Sequence, residues 1–288
     1  MSSHVVLVHG GAGGLTDEIR EHGADYRNAI ETALARAADA LKTGGAVEAV
    51  CAAVMAMESF PLFNAGYGSA LCSDGSVEMS ASVMRGSDRA AGAVAMMTRT
   101  RHPVAAAAAL LGDPEVLVAG ENADVHAATN GLEQLDREAF VTERQRRRLA
   151  QRVAGGGETV GAVCLDQTGL LAAATSTGGL QGQRPGRVGD SPLIGAGTWA
   201  DRHVAVSCTG KGEAFIRAGA ARLVAVLVEQ GHNLEAAART ALEIVAECGG
   251  DGGLIAVDAR GNVTMPMSTG AMPRGVWRAG EAPVAMVP

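Results

Sequence analysis

Apolar and polar residues follow two different periods along this chain. Short runs rich in Val, Ala and Leu predict buried strands, whereas apolar residues at three- and four-residue intervals predict amphipathic helices. In the first half these patterns predict strands at 4–8 and 88–98, and helices from about 25 to 42, from about 46 to 58 and, with more charge, over 103–150.

The pattern changes after a basic, then glycine-rich stretch, ERQRRRLAQRVAGGGE. TVGAVCLD and LLAAATST, separated by QTG, predict a β-hairpin, HVAVSCTG predicts another strand, and GLIAVD and NVTMPMST predict a final strand pair. Helices are expected at 213–231 and 233–248, the second capped by Asn233. Adjacent hairpins and consecutive helices argue against a doubly wound parallel sheet and favour packed sheets with helices outside.

The composition indicates how many domains the chain can form and which partners its net charge disfavours. Hydrophobic residues make up 47% of the 288 residues and charged residues 19%, which suits one large domain or two modest ones. The formal net charge of −7 argues against nucleic acid or an anionic membrane as the main partner.

No targeting pattern accompanies this composition. MSSHVVLVHGG lacks a basic segment before its apolar run, and no stretch of about 20 apolar residues predicts a membrane span. The five cysteines are scattered without C-x-x-C spacing, which favours reduced thiols. We therefore expect a cytoplasmic protein.

The glycines of HGGAGG follow the first predicted strand, so a phosphate-binding loop has to be considered. Their spacing is neither G-x-G-x-x-G nor G-x-x-x-x-G-K-[ST], and Asp17 and Glu18 bring negative charge to where a phosphate would sit. A structural turn against an active site is the better interpretation.

Residues with chemical promise gather after the glycine-rich stretch. Thr159 begins the strand TVGAVCLD, where a threonine is ordinarily structural, but TSTGG, PGRVGDSP and SCTGKGE follow it. With VHGGAG, PLFNAGYGSAL, DGSVEMSASVM, IGAGTWA and GGLIAVDARGNV, these blocks closely resemble the plant-type asparaginase and isoaspartyl aminopeptidase family over nearly the whole chain.

The resemblance implies an α+β fold, the four-layer αββα sandwich of the N-terminal-nucleophile (Ntn) hydrolases. It implies a single domain over residues 1–288 that cleaves itself between Glu158 and Thr159. The products, residues 1–158 and 159–288, are expected to associate as a dimer of such pairs.

Elementary chemistry agrees with a nucleophile at Thr159. A neutral threonine hydroxyl is a poor nucleophile and needs a base beside it. Cleavage before Thr159 would create an α-amine with a pKa of about 7.7–8, tethered to the hydroxyl that it must deprotonate. None of the seven histidines has a context typical of a catalytic triad.

The resemblance also implies roles for individual residues. Thr159 would be the nucleophile and Thr177 the threonine that orients it. Arg187 would bind the α-carboxylate of the substrate, and Asp190 its α-ammonium group. The other implied site residues are the oxyanion stabilisers Thr209 and Gly210, the substrate contact Gly212, and Asn64 near the nucleophile. Taken alone, Arg187 and Asp190 also fit a surface ion pair, and the two later threonines fit strand ends.

The stretch 57–67 resembles the family loop that binds a sodium ion through backbone carbonyls, which suit a hard cation. The implied ligands are the carbonyls of Met57, Glu58, Phe60, Phe63, Ala65 and Tyr67. The alternative is a kinked loop with no ion. No cofactor is implied for the chemistry itself, and no Cys/His cluster supports zinc or iron.

Two residues depart from the family pattern. Glu158 stands where relatives of this type usually carry Gly and more distant ones Asp, and we expect its longer side chain either to slow self-cleavage or to change the strain on the scissile bond. Lys211 lies between the oxyanion residues and Gly212, where its bulk and charge are expected to affect substrate preference.

The implied reaction is hydrolysis of L-asparagine to aspartate and ammonia, and of β-aspartyl (isoaspartyl) dipeptides, through a covalent aspartyl-threonine intermediate. One alternative is an uncleaved, non-catalytic ligand-binding homologue, and another is a glycosylasparaginase-like hydrolase. The state of the Glu158–Thr159 bond separates the first alternative from the enzyme.

Overall fold

Two β-sheets pack face to face in the computed structural model, which describes residues 4–151 and 159–287. The strands are β1 (Val5–His9), β2 (Met79–Arg85), β3 (Ala91–Met97), β4 (Leu117–Ala119), β5 (Val160–Leu165), β6 (Leu171–Thr177), β7 (Thr198–Ala200), β8 (Val204–Gly210), β9 (Gly252–Asp258), β10 (Val263–Thr264), β11 (Arg274–Arg278) and β12 (Val284–Met286). The larger sheet has the order β12-β11-β1-β5-β6-β2-β3-β4, and the smaller has the order β10-β9-β8-β7.

Helices cover the outer face of each sheet. They are α1 (Asp17–Glu21), α2 (Gly23–Ala40), α3 (Ala46–Glu58), α4 (Pro103–Ala108), α5 (Glu121–Thr129), α6 (Glu143–Ala150), α7 (Gly212–Ala218), α8 (Ala220–Glu229) and α9 (Leu234–Glu247). Within the described residues, no helix is long and apolar enough to cross a membrane.

Three apolar clusters fill the spaces between the layers. One lies between the larger sheet and α2 and α3, a second between the smaller sheet and α8 and α9, and a third between the two sheets. Strand β1 contributes to two of them, because alternate side chains of a strand point to opposite faces. Val6 and Val8 face the helices, while Val5 and Leu7 face the smaller sheet. This order of layers confirms the predicted αββα sandwich.

The larger sheet combines strands from both sides of the predicted cleavage point. β5 and β6 come after it, and they lie between β1 and β2, which come before it. All these neighbours are antiparallel. The two halves of the chain therefore share one sheet and one core.

Several predicted elements need correction. The single helix expected at 213–231 is wrong, because Gly219 adopts a left-handed conformation with φ of +57° and separates α7 from α8. The helical segment expected at 103–150 is present as the separate helices α4, α5 and α6, and the unpredicted strand β4 lies between α4 and α5 and pairs with β3 in parallel. Strands β2, β7, β11 and β12 were not predicted. The predicted β5–β6 hairpin is confirmed.

Candidate active site

Thr159 lies immediately before β5 and next to Thr177, the last residue of β6. Antiparallel pairing of Val160 with Ser176 brings these two ends together. The Thr159 hydroxyl donates to the Thr177 hydroxyl oxygen at 3.1 Å, and that oxygen also accepts the N–H of Gly179 at 3.0 Å. Thr159 is only 5% exposed and Thr177 4% exposed, so water competes little for these hydrogen bonds.

Asn64 holds the turn that follows Thr177. Its Nδ2 donates to the Gly179 carbonyl at 2.6 Å, and its own carbonyl accepts the Gly178 N–H at 2.9 Å. Its Oδ1 accepts the Ala70 N–H at 2.7 Å, which ties the same turn to the loop after α3. The structure thus connects Asn64 with the backbone beside Thr177.

The first half of the chain reaches the site through His9, the last residue of β1. β1 pairs His9 with Gly161, two residues after Thr159. His9 Nε2 lies 2.9 Å from the hydroxyl of Ser207 on β8, and both side chains pack directly over Gly161. The ends of β1, β5 and β8 therefore meet beside Thr159.

Thr209 lies two residues after Ser207 on β8. Its hydroxyl oxygen accepts the N–H of Ala12 at 3.0 Å, which fixes that oxygen against the glycine-rich loop after β1. The loop itself is held by backbone hydrogen bonds from Gly10 to Pro273 and between Gly13 and Ala271. It is thus a turn beside the site, as the sequence predicted.

Gly210 follows Thr209 at the end of β8 with φ of +148°. A Cβ atom at this position would lie 2.3 Å from the carbonyl oxygen of Asp251. Only glycine allows β8 and β9 to approach this closely, and Thr209 and Gly210 form the β8 end of the site.

Arg187 and Asp190 lie between β6 and β7, and both touch Gly212 at the start of α7. A Cβ atom at Gly212 would be 2.8 Å from Arg187 Nη2 and from Asp190 Oδ1. The alternative of an Arg187–Asp190 surface ion pair is wrong. Arg187 instead donates from Nε and Nη2 to the carboxylate of Glu213, at 3.0 and 3.1 Å.

The carboxyl group of Asp190 is buried, and its Oδ2 has no hydrogen-bond partner in the described part of the chain. Burial raises the pKa of Asp190 to about 7; hydrogen bonds from its own and the Ser191 backbone and the charge of Arg187 oppose the shift, and Glu213 adds to it. A buried carboxyl with an open oxygen requires a donor, and a ligand ammonium group supplies both donor and charge.

Sequence reasoning missed a buried chain of polar side chains behind this site. The hydroxyls of Ser207 and Thr175 are 2.8 Å apart, and Thr175 also accepts from Thr198 at 2.6 Å. Ser82 Oγ then lies 2.8 Å from the Thr198 hydroxyl oxygen and 2.6 Å from the Ser191 carbonyl oxygen. The sequence did contain a signal for these side chains. Thr175 and Ser207 lie two residues before Thr177 and Thr209, and residues two apart in a strand point to the same face.

The loop 57–67 brings carbonyl groups together. A Cβ atom at Gly66 would lie 2.5 Å from the Glu58 carbonyl oxygen, and one at Gly68 would lie 2.0 Å from that of Phe63. Backbone N–H groups already bind three of the six predicted ligand carbonyls, those of Met57, Phe60 and Ala65. Each carbonyl has a second lone pair, so the loop remains compatible with a cation. Among the described residues, no group of three or more His, Cys, Asp or Glu side chains forms a metal site.

Of the two residues that depart from the family pattern, the structure describes Lys211 only. Glu158 lies outside the described residues, and so the predicted cleavage bond does too. Lys211 donates from Nζ to the Gly249 carbonyl at 2.9 Å, just after α9. Its influence on substrate preference stays a prediction.

Known proteins are similar to this sequence over nearly its full length. The sequence model of a family described as "Asparaginase" matches residues 2–158 and 151–287. An isoaspartyl peptidase of Salmonella typhimurium is 42% identical over 98% of both chains. One of Escherichia coli is 41% identical over 98% of this chain and 95% of its own. A plant-type L-asparaginase of Pyrobaculum calidifontis is 41% identical over 96% of this chain and 97% of its own. The chain therefore belongs to this asparaginase family of Ntn hydrolases.

Proposed function

We propose that this protein is a threonine amidohydrolase that releases aspartate from L-asparagine and from β-aspartyl dipeptides, with Thr159 as the nucleophile. The observation that carries the proposal is the buried Thr159–Thr177 hydroxyl pair, at 3.1 Å. The names of the relatives, isoaspartyl peptidase and plant-type L-asparaginase, support the same substrates.

The nucleophile needs a base, and we propose that cleavage of the Glu158–Thr159 bond provides it. The new α-amine of Thr159 would take the proton from the hydroxyl as the oxygen attacks the β-carbonyl carbon of the substrate. Burial lowers the pKa of His9 to about 3, so its ring stays neutral and is no general acid near neutral pH.

In the tetrahedral intermediate, negative charge develops on the former carbonyl oxygen. We assign its stabilisation to the Thr209 hydroxyl and the Gly210 N–H, at the rigid end of β8. Collapse expels ammonia or the amine of the dipeptide, which takes the proton held by the α-amine. The product of this step is an ester between Thr159 and the aspartyl group.

Water then attacks that ester, with the α-amine again acting as base, and aspartate leaves. The same pocket serves both substrates, because each presents an α-carboxylate and an α-ammonium beside a β-carbonyl. We assign the α-carboxylate to Arg187 and the α-ammonium to the open Oδ2 of Asp190, with Gly212 between them.

We also propose a structural sodium ion in the loop 57–67, held by the carbonyls of Met57, Glu58, Phe60, Phe63, Ala65 and Tyr67. The crowding of carbonyl oxygens around Gly66 and Gly68 supports it. When bound, the ion would cross-link carbonyls of the loop that carries Asn64.

The proposed assembly is a dimer of cleaved pairs. The proposed location is the cytoplasm, which suits five cysteines that are all unpaired.

An assay of aspartate release tests the function. The wild type, Thr159→Ala and Thr159→Ser are incubated with L-asparagine and with a β-aspartyl dipeptide. We expect activity in the wild type, reduced activity with serine and none with alanine. Equal activity in the wild type and the alanine variant would refute the assignment of Thr159.

A further inference from the structure

Arg187 is held from two sides before any substrate arrives. Glu213 accepts from Nε and Nη2, and Gln183 Oε1 accepts from Nη1 at 3.3 Å. The Gln183 oxygen also accepts the N–H of Leu180 at 2.9 Å, which fixes the amide. The Arg187 side chain is only 16% exposed. The guanidinium group is therefore locked in one orientation.

A guanidinium group has five N–H donors. Glu213 takes two of them and Gln183 one, so Nη1 and Nη2 each retain one N–H without a partner in the described residues. These terminal nitrogens lie against Gly189 and Gly212, the latter also adjoining Asp190 Oδ1. Arg187 Nη2 and Asp190 Oδ1 thus lie on the same glycine, so that donors for a carboxylate adjoin an acceptor for an ammonium group.

We propose that Glu213 is a positioning residue of the substrate site. It holds Arg187 by Nε and Nη2, so that the remaining N–H groups receive an α-carboxylate, and its negative charge raises the acidic limit of α-ammonium binding that the burial of Asp190 sets. This inference rests on the function proposed above.

The charged and titratable groups around Asp190 come from three elements. Arg187 lies on the same loop, Glu213 begins α7, and the thiol of Cys208 lies on β8 with its pKa raised by burial and by Asp190. The pKa of Glu213 is lowered, mainly by its hydrogen bond to Arg187 and to a smaller extent by the positive charge of Lys211. Glu213 therefore stays ionised and offsets part of the positive charge of Arg187.

The charges around Asp190 predict in which direction ligand binding changes with pH. The raised pKa of Asp190, about 7, means that α-ammonium binding weakens as the pH falls through neutrality. Removal of the Glu213 charge lowers the pKa of Asp190, because the charge of Arg187 then acts on it without opposition. Binding of the α-ammonium group should then persist to lower pH. Below neutrality, each half unit by which the pKa of Asp190 falls should lower the Kd of the variant relative to that of the wild type by about threefold.

The test is the Kd of L-aspartate, measured by calorimetry at several pH values from 8.0 to 5.5. It uses the wild type, Glu213→Gln, Glu213→Asp and Glu243→Gln. Glu213→Asp retains the charge, and Glu243→Gln removes a charge from an exposed position on α9. We expect the ratio of wild-type Kd to Glu213→Gln Kd to rise about threefold or more between pH 8.0 and 5.5. Both other variants should follow the wild type in their pH dependence.

A purely structural role would change the Kd of Glu213→Gln by one factor at every pH, and that result overturns the inference. Absence of L-aspartate binding by the wild type also overturns it. The wild type could show the expected pH dependence of L-aspartate binding and yet release no aspartate from a β-aspartyl dipeptide. That result would support the role of Glu213 and refute the proposed function, so the two failures are distinct.

Discussion

The hydroxyl groups of Thr159 and Thr177 are 3.1 Å apart, where the first residue before β5 meets the last residue of β6. Thr177 is fixed by the N–H of Gly179, whose carbonyl is in turn held by Asn64. The orientation of the proposed nucleophile therefore depends on a backbone turn and on the side-chain amide of Asn64, which lies 115 residues before Gly179 in sequence.

Thr177→Val tests this dependence, because valine keeps the shape of threonine and removes its hydroxyl. We expect kcat to fall about 100-fold with little change in KM, since the nucleophile loses its orientation and the substrate contacts remain. Thr177→Ser retains the hydroxyl and is expected to stay within about tenfold of the wild type. Steady-state kinetics with a β-aspartyl dipeptide measures both. Equal kcat in the valine variant and the wild type would show that Thr177 does not orient Thr159.

The burial of His9 predicts a pH dependence of stability. Burial lowers the pKa of His9 to about 3 in the folded protein, although the backbone of Thr159 opposes the shift. An unfolded histidine has a pKa of about 6.5. The unfolded chain therefore binds the extra proton between these values, and the His9 contribution to the free energy of unfolding falls as the pH drops below about 6.5, by about 1.4 kcal/mol per pH unit. Asp190, whose pKa is raised to about 7 in the folded protein, contributes a slope of opposite sign between about pH 4 and 7, so the two contributions largely cancel in the wild type.

His9→Asn is expected to remove the His9 contribution, so that its free energy of unfolding rises relative to that of the wild type by about 1.4 kcal/mol per pH unit as the pH falls below about 6.5, whatever its effect at pH 7.5. Urea unfolding at pH 7.5, 6.0 and 5.0 measures it, and His232→Asn, at an exposed position after α8, is the control. The control should retain the wild-type slope. An unchanged slope in His9→Asn would mean that His9 is not the group responsible.

Gly210 predicts a link between strand spacing and activity. In Gly210→Ala the new Cβ would meet the Asp251 carbonyl at 2.3 Å, so β8 and β9 must separate and the Gly210 N–H must move. We expect kcat to fall about 100-fold and the free energy of unfolding to fall by more than about 2 kcal/mol.

Gly75→Ala is the matched control for Gly210→Ala, because Gly75 also has a positive φ, +85°, but open space around it. Its expected cost is only about 1 kcal/mol, from backbone strain. Kinetics and urea unfolding of the two variants separate strain from the strand contact. Equal losses in both variants would contradict the prediction.

The proposed sodium site predicts cation-dependent stability. Binding to the folded loop alone stabilises the protein by mass action. We expect Tm to be about 2–4 °C higher in sodium chloride than in choline chloride at equal ionic strength. Differential scanning calorimetry measures the shift, with potassium and caesium chloride testing selectivity by ion size. The same Tm in all four salts would argue for a loop that holds no ion.

Elements that are close together in sequence could be predicted from the local pattern of apolar residues and turns. The β5–β6 hairpin joins residues that are close in sequence, and its apolar runs and the turn QTG were sufficient. The order β1-β5-β6-β2 was not predictable in this way, because β1 and β5 are more than 150 residues apart. β2, MSASVMR, mixes serines into a buried strand, since Ser82 bonds within the chain of hydroxyls between the sheets.

The site was predicted through the resemblance and not through periodicity. The polar blocks around Thr177, Arg187 and Thr209 located residues that the structure brings to one end of the sandwich. The partner of Arg187 was not predicted, because proximity in sequence favoured Asp190 over Glu213. Burial decides between them, since Asp190 lies behind Gly212 and Glu213 remains half exposed.

Intact-mass spectrometry of the purified protein, fresh and after prolonged incubation, shows whether the Glu158–Thr159 bond is cleaved. Thr159→Ala is the matched control. We predict that the wild type converts into two fragments, residues 1–158 and 159–288, that aspartate release rises in step with this conversion, and that Thr159→Ala stays whole. A wild type that stays at full length, or one that hydrolyses β-aspartyl dipeptides without cleavage, would rule out Thr159 as an N-terminal nucleophile released by self-cleavage.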